Sequence, residues 1–291
     1  MLKAFFAVVV WGASFVATKV AIREIQPVVL VWVRFGIGVV ILGAFVWSRK
    51  QLTLPKARDW GFFALLGFLG ITFHQWLQST GLITAQAMTT GWIVASIPIF
   101  MVILGWLFLK ERLSWLQSSG IVLAALGVLL VITRGNLASL SPGRFSATGD
   151  ILILISAPNW AVFSILSRSR LKIYPAALMM FYVMLFGWLF SSVLLPGSNG
   201  LRTIFSLSLD GWTAVAFLGI FCSGIAYVFW YDALVALPVA QTGAFLYIEP
   251  LITLIVAAIV LHEPIHLASL GGGGIILLGV WLVNRNTPNL R

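Results

Sequence analysis

Ten runs of about 20 apolar residues follow one another along this chain, and that recurrence limits its folds more than any motif does. A helix rises about 1.5 Å per residue, so such a run crosses about 30 Å of hydrocarbon. The runs fall at roughly 4–22, 28–47, 60–80, 86–108, 114–133, 149–168, 176–195, 210–231, 239–260 and 266–284. No soluble interior could hide them, because 60% of the 291 residues are hydrophobic and only 9% are charged. The first run, "AFFAVVVWGASFVATKVAI", is too long for a signal-peptide core and lacks a small-residue cleavage site followed by polar sequence. The sequence predicts an all-α integral membrane protein of ten transmembrane helices.

A net charge of +10 would suggest nucleic acid as partner of a soluble protein. In a membrane protein it reads as topology, because Lys and Arg collect in cytoplasmic loops. With the N-terminus inside, the inner side carries Lys3, Arg49, Lys50, Lys56, Arg58, Lys110, Arg112, Arg168, Arg170, Lys172, Arg285 and Arg291. The outer side carries Arg23, Arg134, Arg144 and Arg202, while Lys19 and Arg34 fall inside spans. The bias predicts a multi-pass protein of the inner (plasma) membrane with both termini cytoplasmic and no nucleic-acid partner. Trp47, Trp60, Trp115 and Trp212 sit near span ends, where an aromatic belt is expected. The single cysteine, Cys222, excludes a disulfide within the chain.

The longest connection, "RGNLASLSPGRFSATG", divides the spans five and five. Sliding 60–134 onto 212–286 without a gap pairs Trp60 with Trp212, Gly67 with Gly219 and Thr90-Gly91 with Thr242-Gly243. The same register pairs Pro98 with Pro250, Glu111 with Glu263, Gly120 with Gly272 and Gly127 with Gly279. The chain thus divides into a first repeat at 1–134, a linker at 135–148 and a second repeat at 149–291. A repeat of five spans enters the membrane upside down the second time, which is the inverted plan of secondary transporters, with binding near the midplane.

The first span reads "WGASFVATK", the second "VWVRF", and the fourth and fifth "SIPIFMVILGWLFLKERLS". The second half carries "YIEPLITLIVAAIVLHEPI" followed by "GGGGIILLGVWLVN". With these segments the chain resembles the drug/metabolite transporter superfamily, in its ten-span EamA-type branch, over essentially its whole length. The resemblance implies alternating access through a central cavity between the repeats, with export of metabolites common in the branch. The many aromatics make it most similar to YddG-type exporters of aromatic and other neutral amino acids.

Polar and aromatic residues inside spans are the candidates for that cavity. His74 and Gln78 lie one turn apart in "GITFHQWLQSTG", either facing a cavity or hydrogen-bonding between helices. Ser223, Tyr227, Trp230 and Tyr231 form a polar-aromatic stripe, though Trp230 also fits a belt position. Spans one and six offer Trp11, Ser14, Asn159, Trp160 and Phe163, with Pro158 freeing a carbonyl beside Asn159. Span four offers Trp92, and span nine Gln241. In an exporter, His74, Gln78, Asn159, Tyr227 and Gln241 would hold the polar groups of an amino acid, and Trp11, Trp92, Trp160 and Trp230 its side chain. Pro98 and Pro250 read as matched hinges. Glu249 has Ile97 as its repeat mate, so it reads as an unshared charge paired with Arg34 or Lys19, or as a proton carrier.

"HEPIH", at 262–266, matches the zinc-protease pattern, and "LDG" at 209–211 resembles a second such motif. Pro264 disfavours the intact helix that two metal-binding histidines would need, and the repeat gives Glu263 the reading of a carboxylate at the start of the next helix. No metal, cofactor or catalytic residue is expected. The first span contains no acid, which disfavours a cation–proton antiporter, and few cationic side chains lie in spans, which disfavours phosphorylated substrates. The reading is an exporter of small neutral metabolites, with a lipid-linked sugar flippase as the alternative within the superfamily. The Gly-rich last span leaves monomer and homodimer both open.

Overall fold

The computed structural model describes residues 1–109, 113–136, 148–195, 200–236 and 245–285. Ten apolar helices account for nearly all of them. They are α1 Leu2–Ala21, α2 Pro27–Ser48, α3 from Trp60 to Gly81, α4 as Ala87–Val94 plus Ile97–Leu109, and α5 Trp115–Thr133. The second half supplies α6 Thr148–Leu171, α7 Ala176–Val193, α8 from Leu209 to Ala236, α9 Glu249–Val260 and α10 Leu267–Arg285. Eight of these, α1 to α8, are long and apolar enough to cross a membrane by length and composition, and α9 and α10 are shorter apolar helices as described. A short helix, Gly200–Ile204, precedes α8 and has no counterpart among the expected spans.

Two spans change their helical winding. Residues Phe68–Phe73 of α3 and Phe217–Ile225 of α8 are wound as π-helix, with α-helix on either side. Both stretches end at repeat mates, Phe73 and Ile225, which lie 152 residues apart in the register that pairs the halves. The π geometry is thus a property of the repeat. Hydropathy carries no signal for it, since both stretches are ordinary apolar sequence. The two prolines also occupy equivalent places. Pro98 is the second residue of the helix Ile97–Leu109, after a break at Ala95–Ser96, and Pro250 is the second residue of α9, after the 3-10 turn Leu246–Ile248. Each begins a helical segment, where the missing N–H costs nothing, instead of kinking an intact one.

The packing has the same symmetry. The α5–α10 pair is the most extensive helix contact; α2 packs on α8 as α3 packs on α7, and α1 packs on α8 and α9 as α6 packs on α3 and α4. Every one of these contacts joins a helix of the first five to one of the second five. The two sequence halves are therefore interleaved. Contacts group α1, α2, α8 and α9 on one side and α3, α4, α6 and α7 on the other, with α2 against α7 and α9 against α4 between them. In the α5–α10 pair, a Cβ on Gly120 would meet the Gly279 carbonyl at 2.7 Å, and one on Gly127 the Gly272 carbonyl at 2.7 Å. The reverse approaches, Gly272 to Gly127 and Gly279 to Gly120, are equally tight at 2.8 and 2.6 Å. Backbones this close gain the dispersion contacts that hold helices together in lipid.

Ends that the sequence places on one side of the membrane do meet. Lys3, at the start of α1, pairs with Asp232 of α8 at 2.6 Å, and Arg49, after α2, reaches the same carboxylate at 3.8 Å. Arg170 of α6 pairs with the buried Asp59 before α3 at 3.1 Å, and Tyr174 donates its hydroxyl to Asp59 at 2.7 Å. At the opposite end Glu24, between α1 and α2, accepts the Ser208 hydroxyl at 2.6 Å and its backbone N–H at 2.7 Å, just where α8 begins. These hydrogen bonds, the hydroxyl's first, hold the Glu24 carboxyl below its usual range. A lowered folded-state pKa gives stability above the unfolded pKa that disappears as pH falls through the folded one. The melting temperature of Glu24→Gln should accordingly lie slightly below that of the parent at neutral pH, with the gap closing in acid; a gap independent of pH would refute this role.

Trp47 and Trp115 are largely exposed, as belt residues should be, whereas Trp60 packs edge-on against Tyr182 and Phe186.

Candidate functional site

The candidate residues gather in two aromatic clusters, one on each side of the pseudo-symmetric bundle. In the first, the Trp11 ring of α1 lies 5.4 Å from that of Tyr227 and 5.3 Å from that of Trp230, both on α8. In the second, Trp160 of α6 lies 4.6 Å from the His74 ring of α3 and 4.8 Å from Phe163. Trp230 is thus part of an interhelical cluster, a placement that the belt reading does not describe. Such pairs are each worth about 0.5–1.5 kcal/mol beyond the area they bury.

Each cluster is tied to a π stretch. Trp11 donates Nε1–H to the Cys222 carbonyl of the α8 stretch at 3.1 Å. Asn159 donates Nδ2–H to the Leu69 carbonyl of the α3 stretch at 2.9 Å. An altered helical winding leaves carbonyls for outside donors, and here a polar side chain from the facing helix takes one in each half. Asn159 is therefore engaged with α3, a role that its adjacency to Pro158 did not suggest.

Arg34 joins the two clusters. It projects from α2 and is buried, donating Nε–H to Ser223 Oγ of α8 at 3.1 Å and Nη1–H to Gln75 Oε1 of α3 at 3.3 Å. Its guanidinium also lies 4.9 Å from the Phe35 ring centroid. In the sequence Gln75 is marked only by the repeat, which makes it the mate of Tyr227. Gln78 is buried on the same helix, and Ser14 is half-buried on α1.

Other candidates lie elsewhere. Trp92 is in the core between α4 and α10, its indole covering Gly273, with a buried Nε1–H that has no partner among the described residues. Gln241 and Tyr231's side chain lie outside the described residues.

The expected pairing of Glu249 with Arg34 or Lys19 is not formed. Among the described residues neither cation is within ion-pair distance of Glu249. Glu249 instead opens α9 beside α1: its carbonyl lies 2.7 Å from where a Cβ on Gly12 would stand, and it accepts the Thr253 hydroxyl at 3.0 Å, which also reaches the Gly12 carbonyl at 2.8 Å. The partner of Lys19 is Glu263, at 3.4 Å, and Lys19 also donates to the Ala85 carbonyl.

Glu263 also departs from the role read for it. Its two carboxylate oxygens accept the backbone N–H of Ala87 at 2.8 Å and of Met88 at 3.0 Å. It thus caps the N-terminus of α4, far away in sequence, and not that of the helix that follows it. The surrounding "HEPIH" is not helical, since α9 ends at Val260 and α10 starts at Leu267, and His262 has a φ of 52°. Its glutamate is committed to a cap and its histidines share no helix face. Among the described residues no group of three or more His, Cys, Asp or Glu could hold a metal ion.

Comparison with known proteins agrees with this architecture. The model of a family described as the EamA-like transporter family matches residues 1–133 and 147–285. An uncharacterized transporter of Archaeoglobus fulgidus is 28% identical over 279 residues, covering 94% of this chain and 95% of its own. A protein of Streptantibioticus cattleyicolor described as a "probable terminal-alkyne amino-acid exporter" is 30% identical over 285 residues, covering 98% and 93%. A solved crystal structure superposes with a TM-score of 0.67 at 20% identity, covering 98% of this chain and 96% of that one, which bears on the fold alone.

Proposed function

Because the chain belongs to the EamA-like transporter family, we propose that it exports small neutral amino acids, chiefly those with aromatic or bulky apolar side chains, across the inner membrane. The observation that carries this reading is the doubled aromatic cluster, Trp11 with Tyr227 and Trp230 in one half and Trp160 with His74 and Phe163 in the other, with Arg34 linking their helices α8 and α3 through Ser223 and Gln75. Apolar walls with a few placed polar groups suit a small molecule with one greasy and one polar end. The relative named as an amino-acid exporter supports the same class.

Transport would proceed by alternating access between the repeats 1–134 and 149–291, but the interleaved packing makes mixed groups the better moving bodies. We take α1, α2, α8 and α9 to rock against α3, α4, α6 and α7. The helix starts at Pro98 and Pro250 then act as hinges where α4 meets α9, and both termini face the cytoplasm, the side favoured by the Lys and Arg bias.

The test is efflux from proteoliposomes loaded with radiolabelled L-phenylalanine, with binding followed by tryptophan fluorescence. Export above that of protein-free vesicles is expected, with Trp11→Ala and Trp160→Ala each lowering it about tenfold or more. Efflux equal to that of empty vesicles for phenylalanine, tryptophan and leucine alike would remove the proposal.

A further inference from the structure

From its surroundings we infer that Arg34 is the carboxylate anchor of the transport site, so that the substrate itself supplies the anion this cation lacks. The inference deepens the amino-acid reading above and rests on it for the choice of ligand.

Arg34 is only 7% exposed, on a helix within the apolar bundle. A buried guanidinium is costly unless it is paired, and intramembrane charges in general face partners or pathways. Yet among the described residues no carboxylate lies within ion-pair distance of Arg34. Its two side-chain acceptors, Ser223 and Gln75, are neutral. They fix the planar group between α8 and α3 and leave its charge uncompensated. The four ion pairs formed among the described residues all belong to other cations: Lys3, Lys19, Arg49 and Arg170.

What surrounds Arg34 fits an amino acid. Arg34 bonds to Ser223, one turn before Tyr227 on α8, and to Gln75, the residue after His74 on α3. Tyr227 is in ring contact with Trp11, and His74 with Trp160, so both aromatic clusters border this charge. Glu249 has no ion pair among the described residues either, and its backbone lies against Gly12, next to Trp11. An unpaired cation bordered by aromatic rings matches the carboxylate of an amino acid whose apolar side chain rests among those rings. A guanidinium is suited to the carboxylate end because its fork can donate two parallel hydrogen bonds to it.

Three probes test this with the purified full chain: L-phenylalanine, L-phenylalaninamide, which lacks the carboxylate, and 3-phenylpropionate, which lacks the ammonium group. The parent protein should bind phenylalanine at least about tenfold more tightly than the amide, since losing a charged hydrogen-bond partner in a buried site costs that much or more. Arg34→Gln should bring the ratio close to one, while Arg34→Lys keeps a reduced preference for the acid. A purely structural Arg34 would change stability or overall affinity but not this ratio. If Arg34→Gln does not fold, the parent and Arg34→Lys ratios still decide.

An amide bound as tightly as phenylalanine by the parent overturns the anchor while leaving amino-acid transport standing. Binding of 3-phenylpropionate alone, lost in Arg34→Gln, keeps the anchor and overturns the amino-acid reading. Binding of none of the three overturns both.

Discussion

Replacing Glu263 by alanine should cost more stability than any other single change in the loops at its end of the bundle. Glu263 is 9% exposed, and its carboxylate accepts two backbone N–H groups at the start of α4 and pairs with Lys19. Alanine would leave both backbone donors without an acceptor and the partly buried Lys19 ammonium with the Ala85 carbonyl but no counter-charge. Removing one partner of a buried, hydrogen-bonded charge pair costs about 3–5 kcal/mol. Glutamine keeps one acceptor oxygen and should fall between the two. Lys19→Met combined with Glu263→Gln should lose less than the sum of the single changes, because no lone charge remains. Thermal unfolding and folded yield in detergent measure all five proteins, Lys19→Met alone included. Equal melting temperatures for the parent and Glu263→Ala would show that the cap contributes nothing.

The second large effect belongs to the α5–α10 interface. Alanine at Gly120, Gly127, Gly272 or Gly279 puts a Cβ between 2.6 and 2.8 Å from a backbone carbonyl of the facing helix. Carbonyls cannot swing aside as a side chain can, so the helices must separate. The cost should be about 1–3 kcal/mol per site. The pseudo-symmetry adds a stricter expectation: Gly120→Ala should match Gly272→Ala, and Gly127→Ala should match Gly279→Ala. Gly271 and Gly274 of the same helix have nothing within 4 Å of a built Cβ. Alanine there should leave the melting temperature unchanged or raise it, since alanine is the better helix former by about 1 kcal/mol. A uniform response across all six glycines would refute the close-approach account.

These glycines illustrate what can be read from residues alone. The shift of 152 pairs Gly120 with Gly272 and Gly127 with Gly279, but does not say that the four meet, nor that Gly120 meets Gly279. Hydropathy located the spans because burial in lipid imposes a length and a composition. It was silent on the π stretches, where composition does not change and only winding does. Glu263 shows a different limit. Adjacency in sequence suggested the helix beginning four residues later, while folding delivers its carboxylate to Ala87 and Met88, about 175 residues away. For Glu249 the sequence offers Lys19 and Arg34 as cations within spans but no distances. The bundle keeps both apart from it. Trp92 shares its residue type with the clustered tryptophans, yet its helix turns it toward Gly273.

The π stretch of α3 sets the azimuth of everything after it. Each residue in a helix turns the chain by about 100° and advances it about 1.5 Å, so one residue more or less between Phe68 and Phe73 acts as a phase shift on the segment His74–Gly81. Shortening the stretch by one would leave every side chain of that segment chemically unchanged while turning His74 away from Trp160 and Gln75 away from Arg34. The contents of the centre are therefore written in the identity of its residues, but their convergence is written in a count.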